Sequence, residues 1–251
     1  VFAYVRTGIE VSDGNLIQTG GKIEAGTVAG GYYGLSVGKN ILNTGAVGNI
    51  TVSGGTLDVA YGRINFSAYN ATEQQGNFTV SGEGTTVYAK SVDGVRALEI
   101  TDAVMRSGSI VSKQLTLNSG SLTVKEGVKE YNGKLYADPA LWLQNLTVND
   151  GTLDVSWYWG NHTPIVFPED EYDGFSTPLV RMWGENFVAA FNGGTTRFDT
   201  GCAGNIVLKL GRLSLGENIV ETGAANTDTD AHTQAESGIL LEVVEHPPNL
   251  T

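Results

Sequence analysis

The aromatic segment SWYWGNH holds the densest cluster of side chains that could recognise a ligand: Trp157, Tyr158 and Trp159. Exposed aromatic rings present flat faces on which sugar rings can stack, so these three residues are a candidate carbohydrate-binding site. Alternate residues of a strand share a face, and Leu153 and Val155 have the same parity as the two tryptophans. A regular strand would therefore direct both tryptophans into the core. Core packing and a sugar platform remain alternatives for this segment.

An acidic run is the second candidate site, formed by Glu169, Asp170, Glu171 and Asp173. Ca²⁺ takes about six to eight oxygen ligands, and carboxylates at this density could supply several of them. The spacing does not match an EF-hand, so a solvated acidic loop is the alternative. Ca²⁺ is thus a candidate cofactor, and the sequence indicates no other.

Residues suited to nucleophilic catalysis are sparse. The chain has 3 histidines and 1 cysteine, Cys202, which has no histidine near it in sequence. No G-x-S-x-G nucleophile elbow precedes a predicted helix. The sequence therefore predicts a protein that is not an enzyme.

The charge balance limits the class of partner. The formal net charge is −12, so nucleic acid phosphates and anionic membrane surfaces would be repelled. No apolar run reaches the roughly 18 residues that a membrane helix needs. We expect no nucleic acid partner and no membrane insertion.

The elements that would position these candidates come from a repeated pattern. NITVSGGTLDV stands at 49–59 and NLTVNDGTLDV at 145–155. Further copies start at 15, 77, 114 and 205, and a looser copy lies at 98–113. Repetition of one sequence at irregular spacing is typical of an imperfect solenoid with loops of variable length.

Each copy alternates apolar and polar residues on both sides of a glycine turn. Ile50, Val52, Leu57 and Val59 are predicted to point inward as two half-buried strands. The turn Ser53-Gly54-Gly55 requires a positive φ or a close neighbour. Two such strands cannot bury their own inner face, so each copy needs a similar copy on either side.

The predicted fold is all-β, a parallel β-solenoid (β-helix) that forms a single domain over 1–251. Its rungs would cover about 10–160 and 201–245, with an inserted loop region near 160–200. Asn-Gly and Asp-Gly pairs, such as the one at 132–133, are typical of hairpins. An antiparallel β-sandwich is therefore the alternative.

Several segments resemble known proteins: GNITVSGGTLDV, GNFTVSGEGTTVYA, LTLNSGSLTV and LTVNDGTLDV. They are similar to the passenger regions of Gram-negative autotransporters and related bacterial surface β-helix adhesins. The resemblance covers about 10–160 and 201–220. It implies export, display on the bacterial cell surface, and a role in adhesion or self-association.

Together these observations predict an extracellular, non-enzymatic adhesin or structural module. Its partner would be a glycan or protein of a host or cell surface, and the solenoid ends could pair with further copies to form a homo-oligomer or filament. The alternative is a β-helix protein that binds or degrades polysaccharide with the help of calcium.

Overall fold

The structure is a computed structural model that describes residues 7–11, 15–24, 33–37, 48–66, 76–162, 179–182, 188–199, 206–210, 213–215, 219–222 and 239–243. Only the backbone is described for 7–11, for 33–37 and for the four ranges after 205. Within these ranges every regular element is a β-strand. No helix in this part of the chain has the length and apolar character to cross a membrane.

The strands in chain order are β1 (Thr7–Val11), β2 (Leu16–Glu24), β3 (Tyr33–Val37), β4 (Ile50–Asn65), β5 (Asn77–Ser81), β6 (Thr86–Thr101), β7 (Ala103–Leu117), β8 (Gly120–Gly127), β9 (Lys129–Tyr131), β10 (Lys134–Tyr136), β11 (Leu141–Val148), β12 (Thr152–Tyr158), β13 (Val180–Met182), β14 (Val188–Phe191), β15 (Thr195–Asp199), β16 (Ile206–Leu210), β17 (Leu213–Leu215), β18 (Ile219–Thr222) and β19 (Ile239–Val243).

Parallel pairing between copies of the repeat organises the described strands. All but β9 and β10 belong to one 17-stranded sheet. In it Ile50 pairs with Phe78 and Leu57 pairs with Val87, so equivalent positions of two copies are neighbours. The antiparallel sandwich is therefore wrong for this part of the chain. The all-β, parallel architecture is consistent with a β-solenoid.

Each copy contributes three strand segments, one more than the sequence predicts. The additional segment follows the two predicted ones and stacks on its own equivalents through Ile64, Val92, Ile110, Leu141 and Val180. The alternation of apolar and polar residues is weaker in this segment because the β6–β7 pairing has a register shift between Val92 and Val95. The third segment adds its own inward apolar positions, such as Ile64 and Val92, to the buried core.

The inner face consists of stacked apolar side chains. Ile50, Val52, Leu57 and Val59 are fully buried, as the alternation predicts. One stack runs through Ile50, Phe78, Leu98, Leu115 and Leu146. Burial of each such side chain stabilises the fold by about 1.5–3 kcal/mol relative to exposure. The core is therefore one continuous column shared by all these copies.

Glycine stands where the backbone turns between the first and second segments in four of six successive copies, and Thr85 and Ala103 occupy this position in the other two. Gly55 and Gly151 have φ of +74° and +89°, which side chains with a Cβ rarely adopt. A Cβ on Gly151 would overlap the carbonyl oxygen of Gly120, the equivalent residue in the preceding copy, and lie 2.9 Å from its nitrogen. At Gly151 the turn therefore needs glycine both for its conformation and for its close approach to the preceding copy.

Asparagine side chains join the copies along two ladders. At the start of the repeat, the Asn49 amide nitrogen donates to Asn15 Oδ1 at 3.2 Å, and the Asn77 backbone N–H donates to Asn49 Oδ1 at 2.9 Å. At the turn, Asn149 Nδ2 donates to Asn118 Oδ1 and Asn192 Nδ2 donates to Asn149 Oδ1, each at 2.8 Å. These bonds satisfy polar groups that stacking brings together.

The structure places two parts of the repeat differently from the sequence interpretation. The prediction that a copy starts at 205 is wrong. The strand there, β16, pairs with β13 and β19 and is therefore the third segment of a copy, not the first. The equivalent first segment is β17, which pairs with β14. The predicted insertion near 160–200 is too long, because β13, β14 and β15 within it belong to the main sheet.

Gly151→Ala tests the turn. We expect the substitution to lower the free energy of unfolding by about 2–5 kcal/mol, because it adds the strain of a positive φ to overlap with the backbone of Gly120. Urea denaturation followed by circular dichroism measures the change.

Two other glycines separate the causes. Gly133 has a φ of +71° with open space around it, so Gly133→Ala should cost only about 1–2 kcal/mol. Gly127 has neither constraint, and Gly127→Ala should leave stability within about 0.5 kcal/mol. Equal costs for Gly151→Ala and Gly133→Ala would show that close stacking at the turn is not a constraint.

Candidate functional site

A short hairpin is the one pair of described strands that lies outside the main sheet. β9 and β10 pair antiparallel, with Tyr131 opposite Lys134 and Tyr136 opposite Lys129. The turn residues Asn132 and Gly133 have φ of +53° and +71°, the signs that a two-residue type I′ turn requires. The Asn-Gly signal at 132–133 is thus confirmed locally.

The two faces of the hairpin differ. Residues opposite each other share a face, so Lys129, Tyr131, Lys134 and Tyr136 lie together. We call these four residues the hairpin face. Leu135 lies on the other side and packs against the hydrophobic core. This packing turns the hairpin face outward.

Two tyrosine rings dominate the hairpin face. Tyr131 is 68% exposed and Tyr136 is 44% exposed. Their ring centroids are 6.5 Å apart at an interplanar angle of 63°, an edge-to-face contact. Large exposed aromatic side chains next to each other are typical of binding surfaces rather than of an ordinary solvent-facing strand.

An ionic network anchors the base of the hairpin. Lys129 Nζ lies 2.7 Å from Asp138 Oδ2 and 3.5 Å from Glu126 Oε1. Burial raises the pKa of Glu126, an effect that the nearby charge of Lys129 and a hydrogen bond with Ser109 partly offset. The carboxyl of Glu126 is therefore easier to protonate in the folded protein than in the unfolded chain.

The predicted sugar platform of Trp157, Tyr158 and Trp159 does not form. Trp157 and Trp159 are each only 7% exposed, whereas Tyr158 is 64% exposed. The tryptophans follow Leu153 and Val155 into the core because β12 runs to Tyr158 without a register shift and Trp159, directly after it, keeps the same alternation. Their rings are unavailable for stacking, which leaves Tyr158 alone on the outer surface.

Trp157 also supports the hairpin. Its indole Nε1 donates a hydrogen bond to the backbone oxygen of Asp138 at 3.1 Å. Asp138 is in turn the partner of Lys129. The buried tryptophan therefore holds the chain segment that follows β10, and its part in any binding is to position that segment.

The predicted calcium ligands Glu169, Asp170, Glu171 and Asp173 lie outside the described residues, as does Cys202. No group of three or more His, Cys, Asp or Glu side chains that could hold a metal ion occurs among the described residues. His162 Nδ1 lies 3.9 Å from Glu130 Oε2, beside the hairpin. Calcium binding stays a prediction.

Sequence reasoning missed the hairpin face. The signal was the segment KEYNGKLY at 129–136, in which an Asn-Gly pair separates two alternating tripeptides. The alternation indicates which residues share a face, but not which face points outward. Only the long-range contact of Leu135 with the core decides that.

A comparison of the chain with the models of known protein families, with curated proteins and with solved structures gives no match.

The substitution Glu126→Gln tests whether the buried carboxyl of Glu126 makes stability depend on pH. Since the folded pKa lies above the usual 4.5, the wild-type protein should lose stability as pH rises from about 4.5 through the folded pKa, and stay level above it. Glu126→Gln should reduce this loss and leave the part that Asp93 contributes, because burial raises the pKa of Asp93 as well. Denaturant unfolding between pH 4 and pH 8 measures both proteins.

Glu83→Gln is the matched control, because Glu83 is exposed in the turn after β5. It should keep the pH dependence of the wild type. If Glu126→Gln and Glu83→Gln give the same pH profile, burial of Glu126 does not contribute to that dependence.

Proposed function

We propose that the chain is a parallel β-solenoid that works as an extracellular, non-enzymatic adhesin or structural module on a bacterial cell surface. The observation that supports this most is the in-register parallel stacking of the repeats. Thr56, Thr86, Val104, Ser121, Thr152 and Thr195 occupy equivalent positions in six consecutive copies. A chain built in this way is a scaffold whose surfaces are set by repetition.

The outer residues of the repeat favour a structural or binding role over a catalytic one. The position after the first inward residue is Thr51, Thr79, Glu99, Thr116 and Thr147 in successive copies. Four of these five residues are threonines, whose hydroxyl side chains suit a solvated β-surface, and the five include no acid-base pair. The hairpin face stands out from this background because it combines large aromatic and cationic side chains.

Self-association is part of the proposal. Within the described strands β1 pairs only with β3, and β19 pairs only with β16. Each therefore has one backbone edge without a partner in this part of the chain. Such edges can accept a strand from a second copy, which would extend the stack into an oligomer or filament.

The second candidate is a polysaccharide-binding or polysaccharide-degrading protein that uses calcium. The exposed tyrosines of the hairpin face favour the binding half of this alternative. Degradation would need a catalytic pair, and the described residues contribute no such pair to the hairpin face.

Adhesion of coated beads tests the proposal. Beads that carry the purified chain should be retained on cultured epithelial cells several-fold more than albumin-coated beads, and free chain should compete. Retention no greater than that of albumin beads would contradict the adhesin role.

Two assays on the same preparation test the polysaccharide-degrading alternative and the formation of filaments. Release of reducing ends from polysaccharides would favour the degrading alternative. Light scattering across a concentration series should show growth in mass if the copies associate, and a constant monomer mass would contradict the filament.

A further inference from the structure

The hairpin face is basic in an acidic protein. The chain has a formal net charge of −12, yet the four residues of the hairpin face comprise two lysines, two tyrosines and no carboxylate. A polyanion that approaches most of the surface would be repelled. Attraction of an anion therefore depends on local cations, and this face carries two lysines beside aromatic rings, one of them paired with carboxylates.

The two lysines differ in their availability. Lys129 is held by Asp138 at 2.7 Å and by Glu126 at 3.5 Å, so its charge is largely compensated. Within the described part of the chain no carboxylate lies within ion-pair distance of Lys134 Nζ. Lys134 is exposed and stands directly opposite Tyr131 across the hairpin. It is therefore the cation that an incoming anion would meet.

We propose that the hairpin face binds an anionic polysaccharide. Sugar rings stack on Tyr131 and Tyr136, and a carboxylate or sulfate group of the same chain pairs with Lys134. The apolar faces of sugar rings match the π-faces of the tyrosines, and the anionic substituent matches the ammonium. This inference rests on the proposed function and names the class of partner for its contact site.

The dimensions of the face favour a glycan over a folded protein. Each strand of the hairpin has three residues, so the face is only about 10 Å long at roughly 3.4 Å per residue. A stable protein interface buries about 800 Å² on each partner, which the hairpin face cannot provide. A few sugar units along an extended chain fit this length.

Isothermal titration with defined polysaccharides tests the inference. Polygalacturonate presents carboxylates, heparin presents sulfates and dextran is neutral. We expect binding to at least one of the two anionic polymers, weakened by added salt, and no binding to dextran. Comparison of the two polymers identifies which anion is preferred.

Substitutions on the face should weaken this binding. Tyr131→Ala with Tyr136→Ala, and separately Lys134→Glu, should each weaken it at least tenfold. Lys90→Glu is the matched control, because Lys90 is exposed on β6 and the substitution makes the same change in net charge. Tyr158→Ala controls for loss of an exposed tyrosine outside the hairpin. Unchanged thermal unfolding of every variant shows that the fold is retained.

Three results would overturn the inference: no binding to either anionic polymer, equal loss with Lys134→Glu and Lys90→Glu, or binding to dextran that equals binding to the anionic polymers. Retention of coated beads on cells is measured separately. If beads adhere while both anionic polymers fail to bind, the adhesive role stands and the choice of partner is wrong.

Discussion

Close contact between the backbones of successive copies is the constraint on which the rest of the structure depends. At one turn between the first two segments, the peptide groups of Gly151 lie against those of Gly120, with no room for a Cβ between them. The copies can therefore stack at the spacing of a parallel sheet, about 4.8 Å. With that spacing, equivalent side chains contact each other along the stack, and the inner residues form continuous apolar columns.

The same stacking explains why polar ladders accompany the core. An asparagine repeated at one position meets its own equivalent, and its amide can donate in one direction and accept in the other, as Asn149 does between Asn118 and Asn192. Stacking of the copies partly removes these amide groups from water, and the hydrogen bonds of the ladder replace the ones that water would make. Departures from the repeat are tolerated between segments, as where the β9–β10 hairpin lies between the second and third segments of one copy without altering the register of β8 and β12. Variation is thereby confined to loops, where a binding surface can form on a constant scaffold.

Local alternation predicts much of this fold. The inward residues Ile50 to Val59 and the positive φ of Gly55 follow from period and residue type, and Trp157 followed the parity of Leu153 into the core. The third segment escaped prediction because its inner face includes Ser91 and a register shift after Val92.

The copy that begins at Val188 was missed because valine replaces the asparagine that marks other copies. The site was harder to predict still. Residues 129–136 alternate clearly, but the outward direction of Tyr131 and Tyr136 is fixed by contact of Leu135 with core residues that are distant in sequence. Long-range contacts of this kind leave no local signature.

The most direct test of in-register stacking is a disulfide between copies. In a background that carries Cys202→Ser, cysteines at Thr116 and Thr147 would occupy paired positions of β7 and β11, about 4.8 Å apart and within reach of a disulfide. Cysteines at Thr116 and Ala190 would be two strands apart, at roughly twice that distance and out of reach. Mild oxidation followed by peptide mass mapping should give the 116–147 bond and not the 116–190 bond. Formation of the 116–190 bond without the 116–147 bond would contradict stacking in this register.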